Sequence, residues 1–232
     1  MAGLLIRSSI LDGSATLIRS RGGRPAAVAR RAGLPRRALT DPDLLVSGAA
    51  VSRFFEFAAQ ACGDRTWGLS LSANARLAAI IGPLWILLRN ARTVGQMCEA
   101  FAHNFDVFSD VAVVTARPQE DGGLLLSWSM ATPSVNSNVQ MLEFALSVLA
   151  REVRTHLGSG WVTADVLFGH DREDPDTRPK AAPQLQKATL RQYWQKLAWK
   201  YHYQCLAQSF ALLTTSKTSY PLPRSTSQQS KT

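Results

Sequence analysis

The spacing of apolar residues divides the chain into a helical first half and a mixed second half. Leu5, Leu11, Leu17 and Ile18 recur at rough helical spacing and predict a short helix within residues 4–22, ended by Gly22-Gly23. Pro25 suits a first helical turn, so a second helix is expected from Pro25 to Ala32, closed by Gly33. Asp41-Pro42-Asp43 reads as a turn and a cap. Val51, Phe54, Phe55, Phe57, Ala58 and Ala61 then predict a helix from Gly48 to Ala61 with a broad buried face. A further helix is expected over about residues 75–89. Pro83 near its middle removes a backbone donor and should kink or split it. Thr93 stands where it can cap one more helix, running past Met97 and Phe101.

Beyond residue 109 the period changes. Residues 110–117 (DVAVVTAR) and 124–131 (LLLSWSMA) are rich in strand formers and flank a Gly-rich turn, which predicts an antiparallel hairpin. Val139, Leu142, Leu146, Leu149 and Val153 share one face of a long helix over residues 137–157, and Trp161 to Phe168 reads as another strand. The expected class is therefore α+β: a helical N-terminal half, an antiparallel hairpin, a long helix and a further strand. Residues 1–176 read as one domain and residues 177–232 as a separate basic tail. In the tail, Leu190, Trp194, Leu197, Tyr201 and Cys205 suggest a helix within 184–213. The Ser/Thr-rich end from Thr214 onward reads as disordered.

The longest uncharged apolar run, Leu77 to Leu88, would rise about 18 Å as a helix, against a hydrocarbon core of roughly 30 Å. No membrane span is expected. The opening MAGLLIRSSIL reads as the start of the domain, since Arg7 interrupts its apolar run. The three cysteines, Cys62, Cys98 and Cys205, are far apart and fit neither a disulfide framework nor a metal site, so a reducing cytoplasm is the expected setting.

Charge changes the picture more, because the net +9 is unevenly placed. Residues 1–40 hold eight arginines against Asp12 alone. Residues 41–176 hold nine arginines against sixteen acids, and residues 177–232 hold nine basic residues and no acid. Every basic residue before Lys180 is an arginine, whereas Lys180 is the first of six lysines. Something changes near residue 178.

Catalytic chemistry finds no constellation to rest on. The four histidines, His103, His156, His170 and His202, have no acid or cysteine at triad or metal-ligand spacing. His103 with Asp106 reads as a helix end. There is no GxGxxG and no GxSxG. The chain is thus expected to be no enzyme and to use no cofactor. Residues 28–43 invite a helix-turn-helix reading, but Pro35 breaks the turn and Pro42 leaves no room for a recognition helix. An apolar ligand pocket with a few polar groups would draw on Trp85 beside Pro83, Trp128 on the hairpin, and Gln140 with Glu143 on the long helix. Core packing is the plainer reading of each tryptophan, and a solvated position that of Glu143. Lys187, Arg191, Lys196 and Lys200, interleaved with Trp194, Trp199 and Tyr201, could hold nucleic acid by charge alone. The plainer reading there is incidental charge.

A set of words in fixed order adds a family. They are Arg-Ser-Ser-Ile-Leu (7–11), Gly22-Gly23-x-Pro25, Ala32-Gly33-Leu34-Pro35 and Leu39-x-Asp41-Pro42-Asp43. Phe54-x-Glu56-x-Ala58-Ala59, Gly63-Asp64, Trp67-Gly68-Leu69-x-Leu71 and Gly82-Pro83-Leu84 follow. The series ends with Thr93-Val94-Gly95, Trp161 and Val166-x-Phe168-x-His170. Together they resemble the N-terminal, arabinose-binding-like sensor domain of AraC-type transcriptional regulators. The resemblance implies a cytoplasmic bacterial protein that senses a small-molecule effector and forms a homodimer. It also implies a C-terminal domain with two helix-turn-helix units that binds DNA. Residues 177–232 show no such pattern, so the expectation is a regulator truncated before its DNA reader, by a frameshift, a fusion or a shortened copy. A DNA-binding protein acting non-specifically through the basic tail is the alternative.

Overall fold

Proline, glycine and capping residues decide where most helices of this chain begin and stop. The computed structural model describes residues 4–119, 123–131, 139–157, 164–167 and 209–214. The N-terminal segment departs from expectation. Residues 4–22 do not form one helix: Leu5–Arg7 is a strand (β1), Ser8–Leu11 a 3-10 turn, and only Ser14–Ser20 is helical (α1). The backbone N–H groups of Ser8 and Ser9 donate instead to Leu44 O (2.9 Å) and Pro42 O (3.0 Å). Serines compete poorly for an intrahelical ladder, and long-range partners win. The strand β1 pairs antiparallel with Leu45–Ser47 (β2), Ile6 opposite Val46, and both of these side chains are buried.

The second helix (α2) spans Pro25–Ala32 as its proline and glycine predict. The guanidinium of Arg53 closes it, donating twice to Ala32 O at 3.1 and 3.2 Å. Gly48–Cys62 (α3) runs through the core and is followed by Trp67–Ser72 (α4), which the sequence did not announce. The helix expected over residues 75–89 is split into Leu77–Ile81 (α5) and Leu84–Arg89 (α6). Between them Gly82 takes φ +54° and ψ −123°, a conformation that a side chain resists. Thr93 caps Val94–His103 (α7) by accepting from Gln96 N at 3.1 Å.

Ala112–Pro118 (β3) and Leu124–Met130 (β4) form the expected antiparallel hairpin, and Val139–Leu157 is the long helix (α8). Ala164–Leu167 (β5) is the further strand. Ser209–Thr214 (β6) is a strand as well and lies between β4 and β5, giving a four-stranded antiparallel sheet in the order β3-β4-β6-β5. The tail helix predicted to reach residue 213 therefore does not include Ser209–Thr214; its remaining residues, 184–208, lie outside the described residues. A short apolar run is compatible with either state, and here the free edge of β4 supplies the hydrogen bonds that decide for a strand.

The core is aromatic where α3, α4 and α8 meet. Phe55 packs edge-on against Trp67 (5.2 Å between ring centroids) and tilted against Phe144 (5.3 Å), with Phe54 at 6.2 Å from Trp67. All four side chains are buried. Each contributes about 2–3 kcal/mol by burial, and such pairs add roughly 0.5–1.5 kcal/mol. This mass fixes α8, and α7 packs on β3 and β4 of the sheet.

Candidate cleft between a helix and an open strand edge

Two residues phase the edge of the sheet. Val111 O accepts from Ala131 N (2.8 Å), and Gln119 N donates to Gly123 O (2.9 Å). Hydrogen bonding alternates along an antiparallel strand, so the odd-numbered residues of β3 turn their backbone groups toward β4. Ala112, Val114 and Ala116 turn theirs the other way. At Asp110 that outer side is covered by β1, since Asp110 N donates to Leu5 O (3.3 Å). From Ala112 onward no hydrogen bond to another described residue occupies it. Pro118 ends the strand without an N–H to offer.

Beside this edge stands α7. Val94, Met97, Cys98 and Phe101 turn into the core, leaving Gln96, Glu99 and His103 on the exposed side. Burial pushes the Cys98 thiol up to about 12, with Glu99 adding to the shift, so Cys98 is inert packing and not chemistry. Between the helix and the strand lies an open cleft of about 580 Å³. Gln96, Glu99, Ala100, His103 and Asn104 form one wall, and Val114 and Ala116 line it from the strand side. Gln96 is held by Arg92 N, which donates to its Oε1 at 3.0 Å, and Asn104 donates from Nδ2 to Ala100 O at 2.8 Å.

Trp128 neighbours the strand side of the cleft through Val114. It is opposite Val114 in the strand register, 7% exposed, and packed on Phe105 (4.7 Å) and Phe101 (6.4 Å). Its indole N–H is buried with no acceptor among the described residues. That is a costly state for a donor, about 1–3 kcal/mol. The Trp67 indole N–H is likewise without an acceptor among the described residues, but that ring packs between Phe54 and Phe55 in the aromatic core.

The cleft thus offers a carboxylate at Glu99, an imidazole at His103, the amide oxygen of Asn104 and a row of backbone donors and acceptors. Such an arrangement suits a small polar molecule with both donors and acceptors. It brings no nucleophile together with a base, and among the described residues no three His, Cys, Asp or Glu side chains gather as a metal site.

Of the four residues singled out in the sequence none lines the cleft; Trp128 is the strand partner of its lining residue Val114. Gln140 is buried at the start of α8 as a cross-link. Its Oε1 accepts from Gly68 N (2.8 Å), its Nε2 donates to Arg65 O (2.8 Å), and its own N–H donates to Glu56 Oε1 (3.1 Å). Glu143 lies half-buried one turn further along α8. Trp85 is half-buried on α6 and packs edge-on against His156, 6.0 Å between centroids. His156 Nδ1 is 2.8 Å from Glu152 O and 3.3 Å from Glu152 Oε1. Burial raises the Glu152 pKa above the ordinary carboxyl range, partly offset by His156 and Arg151. Sixteen residues of helix separate Gln140 from His156, about 24 Å, so the four do not form one pocket. Lys187, Arg191, Lys196 and Lys200 lie outside the described residues. Sequence reasoning missed Glu99 and Asn104 and set His103 aside as a helix end. The available signal was the polar row at 96, 99 and 103 on an otherwise apolar helix.

Residues 22–182 match a family model described as the arabinose-binding domain of AraC transcription regulator, N-terminal. No curated protein matches the chain.

Proposed function

Since the chain belongs to the family of N-terminal arabinose-binding domains of AraC transcription regulators, we propose that it senses a small-molecule effector, and that the effector docks in the cleft between α7 and β3. One observation carries the location: an open cleft with polar side chains on α7, beside a strand edge that takes no hydrogen bond from another described residue. A ligand bearing hydroxyl, carbonyl or amine groups would satisfy the edge of β3 and give Glu99 and His103 partners. Its arrival would also tighten α7 against the sheet, and α7 and α8 are the elements through which binding can reach the rest of the domain. The family supports a non-catalytic, homodimeric protein in a bacterial cytoplasm as the setting.

The test is a thermal-shift and tryptophan-fluorescence screen of L-arabinose, other monosaccharides, amino acids and short carboxylic acids. A true effector at about a hundred times its Kd adds about 2.7 kcal/mol, or roughly 5–10 °C in Tm. Glu99→Gln and Trp128→Phe should each weaken that effector about tenfold or more while Trp85→Phe leaves it unchanged. An effector whose affinity falls with Trp85→Phe and not with the cleft variants would move the site to α6.

A further inference from the structure

Hydrogen bonds within the cleft decide which of its polar atoms are left for a ligand. Gln96 Oε1 already accepts from Arg92 N at 3.0 Å, so the amide nitrogen is the end that remains. Asn104 Nδ2 already donates to Ala100 O at 2.8 Å, which leaves Oδ1 as a free acceptor. Glu99 is exposed and has neither an ion pair nor a hydrogen bond among the described residues. Gln96, Glu99 and His103 follow at intervals of three and four, so they form one row along α7. Ala100, Val114 and Ala116 add apolar surface, and the outward carbonyls of β3 add acceptors.

Charge selects among the molecules that such a site could hold. Glu99 is the one carboxylate of the lining, and no lysine or arginine lines it. None of the chain's 26 lysines and arginines falls between Val94 and Ala116, the stretch that walls the cleft, whereas Glu99, Asp106 and Asp110 do. Arg117 follows Ala116, but side chains alternate across a strand, so it leaves β3 on the face opposite Val114 and Ala116. Arg92 precedes α7 and is not part of the lining. In a chain of net charge +9, the cleft is a place from which positive charge has been kept away.

We propose that the cleft takes a small organic cation, a molecule whose protonated amine or guanidine sits against Glu99 while its carbon skeleton lies on Ala100, Val114 and Ala116. This rests on the cleft being the effector site and adds the chemical class of the effector. An ammonium group carries three donors and no acceptor, a demand that Glu99, Asn104 Oδ1 and the strand carbonyls can meet together. A carboxylate or phosphate in the same place would face Glu99 with no cation to offset the repulsion. A neutral hydroxyl could donate to Glu99 but would leave its charge uncompensated.

The experiment is isothermal titration calorimetry of the full chain with molecules matched in shape and differing in charge. One set is diaminobutane, butanediol and succinate; a second, for a ring, is glucosamine, glucose and glucuronate. In at least one set the cation should bind about tenfold or more tighter than its neutral analogue, and the anion should not bind. Glu99→Gln should lower the cation's affinity about tenfold. Gln96→Glu tests the same idea as a gain. It keeps an acceptor for Arg92 N, and a carboxylate in the first turn of α7 suits the helix, so the fold is retained. With a second carboxylate in the row, the cation should bind about threefold tighter. Binding of a neutral or anionic member as tight as that of its cation overturns the proposal, and so does the absence of binding by every cation. Glucose binding tighter than glucosamine and weakened by Glu99→Gln would leave the cleft as the effector site and refute only the class. A cation whose affinity neither Glu99→Gln nor Gln96→Glu changes would refute both the class and the site.

Discussion

Gly68→Ala is the sharpest test of how α4 and α8 are joined. A Cβ at position 68 would lie 2.0 Å from Gln140 O, 2.8 Å from Gln140 C and 3.2 Å from Gln140 Cα. These are backbone atoms, so no rotamer change relieves the contact, and α4 must move away from α8. The movement stretches the bond from Gly68 N to Gln140 Oε1 and then the bond from Gln140 Nε2 to Arg65 O, both 2.8 Å. Overpacking of this kind costs about 1–3 kcal/mol, and stranding a buried donor and acceptor costs about 1–3 kcal/mol more. The total of roughly 3–5 kcal/mol should lower Tm by about 10 °C and shift the urea midpoint with little change in m. Gln140→Ala alone should cost about 2–4 kcal/mol. Because both changes break the same joint, the double variant should be less destabilised than the two single costs combined, by at least about 1 kcal/mol. Additive costs, or a Gly68→Ala protein within 1 kcal/mol of wild type, would refute the joint.

Three further outcomes follow from particular contacts. Arg151→Met removes the donor that holds Ala73 O at 2.6 Å and also Ser72 O at the end of α4; denaturant titration should show a loss of about 2–3 kcal/mol, only partly restored by Arg151→Lys. The raised Glu152 pKa means the folded state holds its proton more tightly than the unfolded one, so this carboxyl favours folding below its ordinary range and loses that contribution as pH rises through its folded value. Glu152→Gln should flatten that limb of the stability–pH curve, and an unchanged curve would contradict it. Alkylation at pH 8 with peptide mapping should leave the buried Cys98 unmodified in the native protein and modify it in urea, since its thiol is pushed up to about 12; labelling as fast as that of the half-buried Cys62 would disprove the packing described.

What could be read in the sequence was what local chemistry decides. Pro25, Pro83 and Thr93 act within a turn or two of themselves, and α2, the split of α5 from α6, and the cap of α7 follow from them. What could not be read depends on partners far along the chain. The strand β1 exists because Ile6 meets Val46 and Ser109, and no local pattern announces either. Gln140 was singled out as a polar residue on an apolar helix, which is also how a structural cross-link looks until its backbone partners Gly68 and Arg65 are known.

The cleft is the extreme case of this. Its identity rests on which residues of β3 turn their backbone groups away from β4, and a one-residue slip of register would exchange the two sets. The stretch Ala112-Val113-Val114-Thr115-Ala116 alternates too weakly to announce its phase, small or apolar on both sides. Two hydrogen bonds at its ends, Ala131 N to Val111 O and Gln119 N to Gly123 O, supply what the side chains do not. They fix Val114 both as an open-edge residue and as the neighbour of Trp128. The phase so fixed leaves the outward backbone groups of Ala112, Val114 and Ala116 without a hydrogen bond to another described residue.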